Sequence, residues 1–298
     1  MSFFKNYFYG KSGQRDFTEQ DLPTNRMQLF REVLKVRRSS MVGLNFLYLL
    51  CWIPAILWSY LNLVQLSAIA AGISDANLGD LIYSYLLVLF PLSAITGPFT
   101  MGISRVLRNW ARDEHAYAAG DYFAGAKENW RQGLLYGLIN GALPLLVCIC
   151  WNFYTGMAGG SPLFYLPLAI ALIAGLLWIL SAQLMPTLIV TYRLRFTGVV
   201  RNAVLMTLAA LPKAIAVKLA TLAIPVVLLL LMQFAPAALR WAVPAALVLY
   251  AIFYLSFNRL ITASYANACC EKYLNPKIEG AGVDIGLRRT EHGEESKK

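Results

Sequence analysis

Charge is what this sequence goes without over long distances. From Gln132 to Tyr192 the chain runs without a single Asp, Glu, Lys or Arg. A soluble core never needs so long an uncharged run, whereas a bilayer does, because a charge left in hydrocarbon costs several kcal/mol. Further charge-free runs are Ser39–Ser74, Leu81–Ser104, Leu219–Leu239 and Trp241–Asn258. Each reaches or nearly reaches the roughly 20 residues that cross about 30 Å of hydrocarbon at 1.5 Å per residue. The run from Gln132 to Tyr192 is long enough for two crossings, and its middle, from Tyr154 to Pro162, is rich in turn residues.

Other scarcities narrow the chemistry. Histidine occurs twice, at His115 and His292, and no histidine or acid falls inside a predicted span. Membrane hydrolysis needs a nucleophile with a base, or ligands for a metal, and Ser84, Ser93, Thr96 and Ser181 have no visible basic partner. His115 beside Asp113 and Glu114 reads as a solvated loop cluster, and no glycine-rich phosphate cradle occurs. The expectation is a protein that is not an enzyme and has no cofactor, no catalytic residues and no metal. Five cysteines, Cys51, Cys148, Cys150, Cys269 and Cys270, make an odd set in or near the spans, which argues against disulfides. Proton or sodium coupling through a buried carboxylate is not expected either.

Charge is plentiful elsewhere, at +10 net over 298 residues. In a soluble protein that balance suggests nucleic acid, but 25 of the 26 Lys and Arg fall on one side of the predicted spans, and only Arg240, with Asp75 and Asp80, on the other. The positive-inside rule then puts both termini in the cytoplasm, with anionic inner-leaflet lipid as partner and no role for nucleic acid. Arg37, Arg38, Arg105, Arg193 and Arg259, at span ends, are candidate contacts to lipid phosphate. No cleavable signal peptide is visible, so the first span serves as its own insertion signal.

The predicted fold is an all-α membrane protein of six transmembrane helices, arranged as three hairpin repeats with amphipathic cytoplasmic connectors and both termini inside. A cytoplasmic N-terminal segment, 1–38, opens on the aromatic cluster Phe3–Tyr9. It then carries Leu29, Phe30, Val33 and Leu34 at helical spacing, as an interfacial helix would. The six-span domain covers 39–275, with spans near 42–66, 81–107, 133–156, 163–191, 215–235 and 241–264. A polar tail, 276–298, reads as disordered. Odd spans hold a proline, Pro54, Pro144 or Pro225, at similar intervals that fit one hairpin plus a connector. Even spans end alike, since Pro98 to Arg105 and Pro186 to Arg193 share one interval.

Two sites stand out. Pro98 and Pro186 each remove a backbone donor and bend the helix. Gly97 and Gly102 let a neighbour approach, and Thr100 and Thr187 can bond the carbonyls so freed. This reads as helix packing, with a binding site as the alternative. In the connector Arg108–Arg131, residues Ala119, Tyr122, Phe123, Ala126 and Trp130 share one helical face. Tyr122, Phe123 and Trp130 are therefore candidate docking residues for a partner protein, or for lipid headgroups.

Three stretches carry a family resemblance: Leu44-Asn45 through Trp52-Ile53-Pro54, then Gly97-Pro98-Phe99-Thr100, then Asp121-Tyr122-Phe123 with Lys127-Glu128-Asn129-Trp130-Arg131-Gln132. Together they resemble the YesL-type bacterial membrane proteins, a family of unknown function, over roughly Phe30 to Tyr273. Phe99 departs from the alanine more often found there. Family members are often encoded beside sugar-uptake transporters of the ATP-binding-cassette (ABC) type and glycan-degrading enzymes. The resemblance therefore implies a non-enzymatic accessory or scaffold of the plasma membrane, serving carbohydrate uptake with an ABC-type sugar transporter as partner. The alternative is a facilitative permease or channel, drawing on Asn45, Asn62, Gln65, Asn140, Asn152, Gln183 and the aromatics Trp52, Tyr83, Trp151 and Trp178. A polar cavity among the spans is the feature that separates the two.

Overall fold

In the computed structural model, which describes residues 22–283 and 285–288, the apolar runs are helices and no strand occurs among the described residues. Helix α1 (Arg26–Val36) starts where the Asn25 side chain accepts the Gln28 amide at 2.9 Å, while the Gln28 side chain accepts the Thr24 amide at 2.9 Å. The Asn25 bond satisfies one of the donors that a helix start leaves orphaned. Then come α2 (Arg38–Ala70), α3 (Leu78–Trp110), the connector α4 (Ala118–Glu128) and α5 (Trp130–Ala158). After a 3-10 turn at Pro162–Phe164 follow α6 (Tyr165–Ala182), α7 (Met185–Thr191), α8 (Phe196–Ala209), α9 (Leu211–Thr221) and α10 (Ala223–Phe234). The final stretch comprises α11 (Leu239–Leu249), a π-helical turn at Tyr250–Tyr254 and α12 (Leu255–Tyr273).

Five stretches are long and apolar enough to cross a bilayer: α2, α3, α5, Pro162–Ala182 and Pro236–Lys277. A sixth is reached when α8 and α9, which meet at a bend of 101°, count together as one span. Ile170, Ile173 and Leu176 on α6, and Leu229 and Met232 on α10, stand exposed. In water that surface would drive aggregation, but in hydrocarbon it is what the solvent demands. The chain is a multi-pass membrane protein.

Two of the predicted spans are interrupted beside a proline. The expected span 215–235 is divided at Leu222 into α9 and α10. Pro225 has no N–H for the Thr221 carbonyl. That oxygen instead accepts from Asn258 Nδ2 at 3.1 Å and the Tyr254 hydroxyl at 3.4 Å. The expected span 163–191 is likewise broken at Gln183 and Leu184, so that Pro186 sits in the first turn of α7, where a missing N–H costs nothing. Pro98, by contrast, lies inside the unbroken α3.

Two buried clusters gather at one end of the molecule. One joins Leu29 and Val33 of α1 to Met41, Leu44 and Tyr48 of α2 and to Ile103, Leu107 and Trp110 of α3. The other joins Leu184, Met185 and Leu188 to Val199, Ala203 and Cys269. Helix α1 thus lays Leu29 and Val33 on protein, while Met27 and Val36 stay exposed. The described residues 285–288 of the tail return to the N-terminal segment. Arg26 donates to the Ile285 carbonyl at 2.8 Å, the Arg288 amide donates to the Pro23 carbonyl at 2.9 Å, and Leu287 packs on the first cluster. The Phe3–Tyr9 cluster and the rest of the tail lie outside the described residues.

Candidate functional site

The seam between α3 and α5 is built from glycine. A Cβ placed on Gly97 would lie 2.0 Å from the Gly133 carbonyl oxygen, and one on Gly137 would lie 2.4 Å from the Ser93 oxygen. No side chain fits between these backbones at Gly97, which also lines the cavity described below. The threonines act differently from expectation. Thr100 Oγ1 donates to the Thr96 carbonyl at 3.1 Å and meets the Tyr48 hydroxyl at 2.8 Å, whereas Pro98 leaves free the carbonyl of Ala94. The carbonyl freed by Pro186, that of Ala182, accepts the Tyr136 hydroxyl at 3.2 Å and not Thr187, which is buried in the second packed region.

The connector helix divides its apolar residues between two environments. Tyr122 is 1% exposed, its backbone oxygen set 2.4 Å from where a Gly102 Cβ would stand. Its hydroxyl donates to the Leu47 carbonyl at 3.4 Å, and burial pushes the phenol well above its ordinary pKa. No partner can reach it, which removes Tyr122 from the candidate docking face. Phe123 and Trp130 remain, 55% and 51% exposed. The buried line of α4 is Tyr122, Gly125 and Ala126, at i, i+3 and i+4.

The predicted lipid-contacting arginines separate similarly. Arg105 is ion-paired with Glu128 and lies 3.9 Å from Asp121. Arg37 stacks over the Trp110 ring at 5.4 Å, while Arg38 and Arg193 are exposed. Arg259 turns inward. Its Nη2 donates to the Tyr48 hydroxyl at 3.3 Å and its guanidinium lies over the Tyr48 ring, 5.9 Å from the centroid.

Arg259 is there part of the wall of a cavity of about 390 Å³ between α2, α3, α5, α6, α9 and α12. Lys218, Asn140, Gln183, Asn258, Tyr136 and Trp52 share that wall. Trp52 Nε1, Gln183 Oε1 and Asn258 Oδ1 are buried with no protein partner among the described residues. Of the polar residues foreseen for a solute path, Asn140, Gln183 and Trp52 reach the cavity. Asn62 and Asn152 do not: they donate at 2.8 and 2.7 Å to the Trp58 carbonyl and the Tyr83 hydroxyl. Asn45 is a structural clamp. Fully buried on α2, it donates to the carbonyls of Tyr250 at 3.0 Å and Ala251 at 2.7 Å, and accepts the Ser256 amide at 2.9 Å. It thereby satisfies the groups that the π-helical turn leaves unmatched.

Residues 41–153 match the model of a family described as "Protein of unknown function, DUF624". The match supports a DUF624-type protein over α2 to α5. It takes in the Asn45 clamp, the Gly97 seam and the α4 connector, while Lys218 and Arg259 lie beyond it. No curated protein and no solved structure matches the chain. The sequence singled out Arg259 as a lipid-phosphate contact, but its meeting with Lys218 in one cavity escaped sequence reasoning because the two belong to different predicted spans and each reads as a span-end cation.

Proposed function

We propose that this protein is a non-enzymatic, multi-pass protein of the bacterial plasma membrane that takes a small polar solute into the space between its helices, as a facilitative permease does. The cavity of about 390 Å³ supports this reading. A scaffold has no use for a hollow walled by unmet polar groups, and burying such groups costs free energy unless a ligand or water meets them. Passage is passive in this proposal, since no acid among the described residues lines the cavity to couple it to an ion. Both termini and the basic connectors are assigned to the cytoplasm because 25 of 26 cations gather there. Three hairpins form the layout, on the recurrence of proline at Pro54, Pro144 and Pro225. Purified protein in liposomes should give saturable uptake of a labelled sugar or other small solute without an ion gradient. Uptake no faster than in protein-free liposomes, across a solute panel, would remove the reading.

A second reading rests on the exposure of Phe123 and Trp130 on the connector and at its junction with α5. In it the protein is an accessory that docks an ABC-type sugar transporter through α4, in the carbohydrate-uptake role implied by the YesL resemblance. Large exposed aromatics are the anchors such interfaces use. Loss of a co-purifying transporter when both are changed to alanine, with no solute flux in liposomes, would favour it over the permease.

A further inference from the structure

Lys218 and Arg259 enter one cavity from different helices, and no acidic side chain among the described residues lines it. The ion pairs among the described residues lie elsewhere: Arg26 with Glu271, Arg105 with Asp121 and Glu128, Arg108 and Arg112 with Glu114. Lys218 Nζ has no hydrogen-bond or ion-pair partner among the described residues, and Arg259 has only neutral ones, Tyr48 with Tyr136 alongside. Hydroxyls accept a hydrogen bond but cancel no charge. Two half-buried cations on one cavity wall repel each other, and no carboxylate among the described residues offsets them. Cations in spans usually escape by snorkelling to the headgroups. Arg259 does the opposite. From Arg259 the helix α12 continues to Tyr273, roughly 21 Å along the axis at the helical rise, yet the side chain faces Tyr48 in the interior.

We infer that the cavity holds the phosphate group of a hydroxylated phosphate ester between Lys218 and Arg259, an inference that rests on the cavity being a solute site. The groups left unmet match the parts of such a ligand. An arginine fork gives parallel N–H bonds to two phosphate oxygens, and a lysine ammonium supplies a point charge to a third. The unpartnered Trp52 indole N–H adds a donor, and the unpartnered amide oxygens of Gln183 and Asn258 accept from ligand hydroxyls. A carboxylate offers too few oxygens for this donor set. A soluble sugar or glycerol phosphate and the headgroup of phosphatidylglycerol share the required chemistry.

The test compares wild type, Lys218→Met, Arg259→Gln and the charge-preserving Arg259→Lys in phosphatidylcholine nanodiscs, by thermal melting and by Trp fluorescence. Glycerol 3-phosphate, glucose, sodium chloride at matched ionic strength, and added phosphatidylglycerol are the probes. Glycerol 3-phosphate should raise the melting temperature of wild type, with the affinity falling roughly tenfold or more in Lys218→Met and Arg259→Gln and partly restored in Arg259→Lys. Without anion, Lys218→Met should melt above wild type because the repulsion is gone. Addition of anion should reverse that order, which a purely structural lysine would not do. Stabilisation by phosphatidylglycerol alone, lost in the same variants, assigns the phosphate to lipid and sustains the inference. Stabilisation by glucose but by neither phosphate leaves the solute site standing and overturns the phosphate. No stabilisation by any probe, or phosphate effects equal in all variants, overturns the phosphate site, while the permease reading stands or falls on the uptake panel.

Discussion

Gly97→Ala adds one methyl group at the tightest point of the helix seam. Its Cβ would stand 2.0 Å from the Gly133 carbonyl oxygen, 2.7 Å from the carbonyl carbon and 3.1 Å from the Gly137 nitrogen. Ordinary contact begins near 3.4 Å, so α3 and α5 must part at this level until the 2.0 Å approach has opened to that distance. Backbone cannot swing aside as a flexible side chain can. The shift therefore spreads along the seam to Gly137 and Gly141, where Cβ atoms would also meet carbonyl oxygens, at 2.4 and 2.7 Å. Overpacking of this kind costs roughly 1–3 kcal/mol. At roughly 2–4 °C per kcal/mol for a chain of this size, the melting temperature should fall by about 2 to 12 °C. Gly43→Ala is the control, since nothing lies within 4 Å of its Cβ and the site is within a helix. There alanine should be neutral or should stabilise by roughly 0.5–1 kcal/mol. Scanning calorimetry or dye-monitored melting in a mild detergent reads both. A Gly97→Ala protein that melts with wild type would refute the close backbone seam.

Gly102→Ala should detach α4 from α3, because its Cβ would sit 2.4 Å from the Tyr122 carbonyl oxygen, and faster protease cleavage between Tyr117 and Trp130 would report it. Asn45→Ala leaves buried Tyr250, Ala251 and Ser256 backbone groups unmet and should cost roughly 1–3 kcal/mol or more, read as a lower melting temperature, with Asn45→Asp recovering only the Ser256 bond. Phe123→Ala with Trp130→Ala should change the melting temperature little, given their exposure; a large loss would mean that both are packing residues. A cysteine at Gly159 should react with an impermeant maleimide in intact cells and one at Lys127 should not, since both positions are exposed and only the membrane separates them. Labelling at Lys127 would reverse the topology.

The spans were legible because hydrocarbon excludes charge whatever the tertiary structure, so charge-free runs alone locate α2, α3 and α5 closely. Breaks at Leu222 and Gln183 were not, since a proline signal does not say whether neighbours will satisfy the freed carbonyl; Asn258 and Tyr254 do so for Thr221. Periodicity identified the apolar face of the connector but not its cover. Tyr122 lies against α3, and Phe123, one residue on, faces out. The cavity was the least legible feature. Its two cations come from separate spans, and inward or outward orientation of a long side chain depends on rotamer and neighbours, here the Tyr48 ring, which no local spacing encodes.

The Asn45 clamp joins the first long helix to the last, and so bears on the order of assembly during synthesis. Until Tyr250 to Ser256 have been made, a carboxamide sits in the first inserted helix with none of the three backbone partners it finally uses. The early helices can enter the membrane and zip along their glycine seam, yet the barrel of space they surround stays open on the side that α12 will close. Closure is then the concluding event of biogenesis. A chain truncated before Tyr250 is expected to insert but, lacking the three backbone partners of Asn45, to be cut by protease faster than the complete protein; equal resistance in both would show that the wall closes without its last stave.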